Sequence, residues 1–275
     1  MVLNLSTMTY LRDHITRLET GLGTRSSDAS ARDRTMLGHA AVDAALQGGI
    51  ALGAVHEVFS DGGWHNAAAT GFVAAFAQRV TARRRALLWI RQDVVAGECG
   101  DLAMTGFAEM GLDPASLIVV RTHDAETTLR IAADCLACNG LGAVVAEIWG
   151  QPKAFDLVAS RKLTLAARRS GVTALLLRLA ATPVVSAAET RWLVRAAHSH
   201  PGPPWQPWGQ PLFDAQLVRN RHGPLGRWIM EWTCDECLFS EPSAHSQPLA
   251  SASHDRSSQA AHAPHPGRPS RLRSG

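Results

Sequence analysis

The sequence predicts an α/β protein: a parallel sheet flanked by helices, with an antiparallel extension at its C-terminal end. Three observations carry this reading. Five short apolar runs, of four to seven residues, recur along the chain. Amphipathic segments with apolar residues three and four apart lie between them. Apolar residues make up 46% of the 275 and charged residues 19%, enough to build a sizeable core and too hydrophobic for a globally disordered chain. Continuous apolar runs alternating with helices are the pattern of strands buried on both faces.

In chain order, residues 1–22 read as an amphipathic helix, because Met8, Leu11, Ile15, Leu18 and Leu22 form one stripe. Residues 23–35 are small and polar, a linker. A core domain is expected over residues 36–198. Its strands are Ala54–Ser60, Ala86–Arg91, Leu117–Arg121, Gly142–Ile148 and Thr173–Leu179, and Gly62-Gly63 break the first. Its helices are Ala67–Thr81, a segment near Asp101–Met110, Asp124–Asn139 and Ala154–Arg169. The core ends with an extended segment at Thr190–Ala197, and residues 199–239 form a Trp-rich loop and strand extension with strands on either side of Arg221–Gly226. Beyond these, 240–275 is a Ser, Ala, His, Pro and Arg tail with scarcely any large apolar residue, which predicts disorder.

Composition also excludes function classes. No stretch approaches the length of an uncharged membrane span. The N-terminus has no compact apolar segment followed by a small-residue cleavage site, so a cytoplasmic location is expected. Five cysteines do not make a disulfide framework. Net charge is +3, and the tail alone carries Arg256, Arg268, Arg271 and Arg273 against Glu241 and Asp255, leaving the rest near +1. A strongly basic nucleic-acid face is therefore not expected.

The run Leu37–Thr70, with its Gly48-Gly49, its HEV strand (56–58) and the loop after it, resembles the opening of a RecA-type ATPase core. The similarity continues through Trp89–Asp93, LDPASLIVV (112–120) and AETTLRIAADCLACNG (125–140) to Glu147. LVRNRHGPLGRWIMEW (217–232) looks like the K-N-R-F-G motif of RadA-type relatives, with Arg219 for Lys. Within that superfamily, the HEV strand, SAAETRW (186–192), the RNRHG ending and the N-terminal LRDHITRLE (11–19) most resemble the ImuA family of damage-induced mutagenesis. The resemblance implies a RecA-like fold. It also implies as partners the Y-family-like ImuB protein, an error-prone C-family DNA polymerase and possibly RecA itself.

The chemistry of that superfamily is missing. A phosphate loop of the G-x-x-x-x-G-K-[ST] type needs backbone N–H groups around phosphate, a lysine charge and a hydroxyl for Mg²⁺. The chain has two lysines, Lys153 and Lys162, and neither follows a glycine. Aligned on the HEV strand, the family's two glycines fall on Ser60 and His65, its lysine on Asn66 and its hydroxyl on Ala67. His65 and Asn66 retain the means to bind an anion weakly at a helix N-terminus. Asp93 and Glu147 fall near the superfamily's water-activating and Mg²⁺-coordinating carboxylates. The segments corresponding to its DNA-gripping loops are short and hold no basic cluster, so direct DNA binding is expected to be weak or absent.

Cys135–Cys138 and Cys234–Cys237 have zinc-ligand spacing. The first pair shares its helical arc with Ile131, Ala132 and Leu136, which predicts burial, and the second pair is expected at the surface. Arg168-Arg169 end a helix, where cations complement its dipole. Leu11, Ile15 and Leu18, Trp205 and Trp208 in a Pro-rich loop, and Arg219 and Arg221 are candidate partner contacts. These observations predict a non-catalytic accessory protein needing neither cofactor nor metal. The competing readings are a SulA-like cell-division inhibitor and a variant RecA-type ATPase.

Overall fold

In the computed structural model, residues 34–81, 86–138, 140–199 and 209–242 are described. Leu11, Ile15, Leu18, Trp205, Trp208 and most of the expected tail lie outside them.

Nine strands form one mixed sheet. In chain order they are β3 (Val55–Ser60), β4 (Ala86–Gln92), β5 (Leu117–Thr122), β6 (Leu141–Trp149), β7 (Thr173–Leu179), β8 (Thr190–Ala196), β9 (Leu212–Asn220), β10 (Gly226–Thr233) and β11 (Leu238–Ser240). The order across the sheet is β11-β10-β9-β8-β3-β7-β6-β4-β5. The six strands from β8 to β5 run parallel, and β9, β10 and β11 add to β8 antiparallel. A two-stranded ribbon of β1 (Arg34–Thr35) and β2 (Ile50–Ala51) stands apart, enclosing the short helix α1 (Ala40–Ala45).

The central strands β3 and β7 are buried along their whole length, as expected of a sheet covered on both faces. One face carries α2 (Asn66–Val80), which lies across β8, β3, β7 and β6. The other carries α5 (Ala125–Cys135) and α6 (Leu157–Ser170). Both start on an aspartate that accepts a backbone N–H two residues into the helix, Asp124 from Thr127 and Asp156 from Ala159, each at 2.7 Å. The helix expected near 101–110 is α4 (Met104–Glu109); a helix not expected from the sequence, α3 (Asp93–Cys99), precedes it and ends at Gly100, which adopts a positive φ.

Aromatic packing joins the antiparallel strands to the parallel core. Phe72 on α2 meets Trp192 at 5.8 Å, Phe213 at 5.6 Å and Phe239 at 5.4 Å between centroids, and Trp232 meets Phe239 at 4.9 Å. The RNRHG turn docks on α1: Asn220 donates to the Ala45 carbonyl at 2.9 Å. A Cβ on Gly223 would stand 2.2 Å from that same carbonyl oxygen, so only glycine fits.

Candidate functional site

In open α/β sheets, ligand crevices form beyond the carboxyl ends of the strands. Here that crevice holds a cavity of about 500 Å³. Asn66, Ala67 and Thr70 of α2 form one wall, Arg91 at the end of β4 the floor, and Cys99 and Phe107 the far side. The route into it is the β3–α2 connection, where Gly62 takes φ +87° and residues Gly63–His65 make one 3-10 turn before α2 begins.

Each position matched to the phosphate loop is engaged otherwise or bare. Ser60 is buried, its hydroxyl without a partner. His65 Nδ1 accepts the Ala196 backbone N–H at 3.1 Å, tying the loop to the end of β8. Asn66 donates to the Cys99 sulfur at 3.3 Å. Ala67 presents a methyl group to the cavity. Lys162 sits on α6 and Lys153 just before it, and α6 covers the face opposite α2.

Among the described residues, the one cation lining the cavity is Arg91, and it faces a carboxylate. Its Nε lies 2.8 Å from Glu147 Oε2, and Trp89 Nε1 donates to Glu147 Oε1 at 2.8 Å. Glu147 has no exposed surface. Burial pushes its pKa above the ordinary carboxylate range, and Arg91 with the Trp89 hydrogen bond pulls the other way. Asp93 starts α3 and turns to Arg121 at 2.9 Å and His123 at 2.6 Å; the Arg121 hydrogen bond leads in holding its pKa low. The two carboxylates that fall near the superfamily's catalytic positions thus make separate, local pairs.

The motifs that carried the resemblance interlock inside the sheet. His56 on β3 meets Thr190 on β8 at 2.8 Å, and Glu57 accepts Arg191 at 2.7 Å. His56 Nε2 faces the Ala51 carbonyl and must donate to it, so Nδ1 accepts the Thr190 hydroxyl, whose oxygen in turn accepts Trp192 Nε1 at 3.0 Å. This network needs neutral histidine, and burial lowers the His56 pKa to about 4.

Arg219 lies half-buried on β9 opposite Arg191, and Arg221 opens the turn, its backbone N–H bonded to the Glu189 carbonyl. Of the cysteine expectations, that for Cys135 holds in part, since it packs partly buried at the end of α5, and the other three fail. Cys138 is exposed because α5 ends at Cys135, while Cys234 and Cys237 pack partly buried on the α2 side of the sheet. The pairs lie on opposite faces and do not meet. Sequence reasoning passed over Trp64, which is 95% exposed on the cavity rim, and Arg91, whose only signal was its place at a strand end beside the cavity.

Fold and site define an open-sheet α/β protein whose strand-end crevice has no lysine and one arginine already paired. No protein-family model matches the sequence. Two curated proteins, each named Protein ImuA, from Caulobacter vibrioides strains NA1000 / CB15N and ATCC 19089 / CIP 103742 / CB 15, are 32% identical over 197 residues, covering 67% of this chain and 77% of theirs. The chain belongs to the ImuA family.

Proposed function

We propose that this chain is a non-catalytic accessory protein of damage-induced mutagenesis and error-prone translesion synthesis, a RecA-like body that works through protein contacts. Membership of the ImuA family ties it to damage-induced mutagenesis. The observation that carries the rest is the Arg91–Glu147 pair: cation and carboxylate at the crevice neutralise each other, while Asn66 and Ala67 supply neither charge nor hydroxyl. A Mg-triphosphate loses its hydration on entering such a site and gains no charge in return. The residues present therefore do not fit a Mg-nucleotide, and no step is routed through one.

The partners in this reading are ImuB, the error-prone C-family polymerase and RecA. Contacts come from Leu11, Ile15 and Leu18, from Trp205 and Trp208, from Arg219 and Arg221, and from Trp64 at the crevice rim, where a large exposed indole suits a partner's pocket. No helix of the described residues is long and apolar enough to cross a membrane.

Two measurements test the reading. The full chain should capture purified ImuB or RecA, with capture reduced at least about tenfold, equivalent to about 1.4 kcal/mol, by Leu18→Asp or Trp64→Ala. Capture of neither protein by the wild-type chain removes the accessory role. Millimolar Mg-ATP should leave the melting temperature unchanged. Nucleotide bound at 100 times its Kd would add about 2.7 kcal/mol, or roughly 5–10 °C, and such a shift would restore the ATPase reading.

A further inference from the structure

The outward face of α6 does not follow the usual division into buried apolar and exposed polar residues. Ser160, Leu163, Thr164 and Ala167 face the sheet. Along the flank next to Thr164, the exposed Leu157, Arg161, Leu165 and Arg168 follow one another at steps of four, four and three, a single stripe of alternating leucine and arginine. Leu165 is 54% exposed and Leu157 36%. This stripe forms one wall of a cleft of about 420 Å³, and Arg219 and Arg221 at the end of β9 form the other. Thr164 and Ser186 also line it, and among the described residues no aspartate or glutamate does.

Four guanidinium groups thus converge on one small concavity. Among the described residues, Arg161, Arg168 and Arg219 have no ion-pair or hydrogen-bonding partner. The nearby Glu189 is engaged by His222 at 3.1 Å. Burial, and then the charges of Arg191 and Arg221, push the Arg219 pKa below its ordinary value, with Glu57 and Glu189 offsetting part of the effect. Helix-dipole complementation accounts for Arg168 at the last turn, but not for Arg161 near the first, nor for the leucines between.

We propose that this cleft is the docking site for an acidic, amphipathic segment of a partner protein, its carboxylates set against the arginines and its apolar side chains against Leu157 and Leu165. The proposal rests on the reading that the chain acts through protein contacts. Charge complementarity names the occupant. The chain's own outlying segments do not supply it: residues 1–33 balance Arg12, Arg17, Arg25 and Arg32 against Asp13, Glu19, Asp28 and Asp33, and residues 243–275 hold four arginines to one aspartate. A phosphate backbone is a poorer match, because it would set charged oxygens against the two leucines, and nucleic-acid affinity is built from extended rows of cations.

The test uses the full chain and defined probes: a labelled helical peptide of Glu and Leu at three- and four-residue spacing, the same peptide with Lys for Glu, the same with Ser for Leu, and a single-stranded oligothymidine. Fluorescence anisotropy should show the Glu/Leu peptide bound at least about tenfold more tightly than either control peptide, with affinity falling as salt shortens the screening length. The double change Arg161→Glu, Arg168→Glu should cost at least about tenfold, and Arg161→Gln with Arg168→Gln should cost less in the same direction, both chains melting as wild type because the residues are at the surface. Three results would overturn the proposal: no saturable binding of the acidic peptide, binding indifferent to those changes, or tighter arginine-dependent binding of the oligothymidine. A chain that binds the peptide but captures neither ImuB nor RecA keeps the cleft and loses the accessory role; the converse keeps the role and loses the cleft.

Discussion

Charge is handled in opposite ways at two places in this molecule. At the strand-end crevice, Arg91 meets Glu147 and Asp93 meets Arg121, so among the described residues no lining cation is left over for an anionic ligand, and Glu98 and Asp101 add negative charge to the lining. At the cleft beside α6, arginines gather without a lining carboxylate and stay near water. An ion pair consumed within the fold is a structural part whose loss is felt in stability. A cation held at the surface contributes little to stability and is available for recognition. The contrast assigns folding to the first place and binding to the second.

The sharpest way to break that division is to strip one partner from an inner pair. Arg191→Met strips buried Glu57 of its hydrogen-bonded cation, leaving only the more distant charges of Arg178 and Arg219, and should cost about 3–5 kcal/mol in denaturant unfolding, as should Arg91→Met at Glu147. A loss under about 1 kcal/mol would mean that the pairs are hydrated and the crevice open to ligand charge. For Glu147 the sign with pH is definite: its raised folded pKa gives a contribution that is full below the unfolded value and lost as pH rises through the folded one. Without Arg91 that folded value climbs, so the variant's deficit should widen between pH 4 and 7.

Next in size is His56. Its folded pKa, about 4, lies below its unfolded value. The stability it contributes is therefore present above about pH 6.5 and lost as pH falls, about 3 kcal/mol by pH 4. His56→Gln should flatten that part of the acid limb in urea titrations, and an unchanged slope would mean the ring is protonated in the fold. Smaller again, Gly223→Ala sets a Cβ against the Ala45 carbonyl and should cost about 1–3 kcal/mol with no effect on the acidic peptide. Last, the pair Arg161→Gln, Arg168→Gln should shift stability by less than about 0.5 kcal/mol while weakening peptide binding. A large loss there would make the outer arginines structural and collapse the contrast.

Much of the fold was legible because periodicity reports burial directly. β3, β4, β5, β6 and β7 fall within a residue or two of the apolar runs, and α2 within one residue of its expected start. The helix near 101–110 was legible, whereas α3 was passed over, because a helix of seven residues ending at Gly100 is too short to show its period. Burial of Cys138 was misjudged because an arc argument presumes the helix continues, and α5 stops at Cys135, which itself packs partly buried. β11 is three residues long and too short to show a period.

The crevice was half legible. The absence of a lysine after glycine is a fact of composition, readable without coordinates. That Glu147 is closed off by Arg91 and Trp89, 56 and 58 residues earlier, is a matter of two strands lying side by side, which local pattern does not encode. The same holds for the cleft: Arg161 and Arg168 belong to one helix face by spacing alone, but Arg219 and Arg221 join them only because β9 extends the sheet past β8. The chain by itself decided which residues could be strands, helices and candidate ligands, since those follow from short-range sterics and the hydrophobic period. Which charges cancel and which remain was decided by tertiary packing, because Coulomb pairing depends on distance in space and on exclusion of water, and neither is a property of separation along the chain.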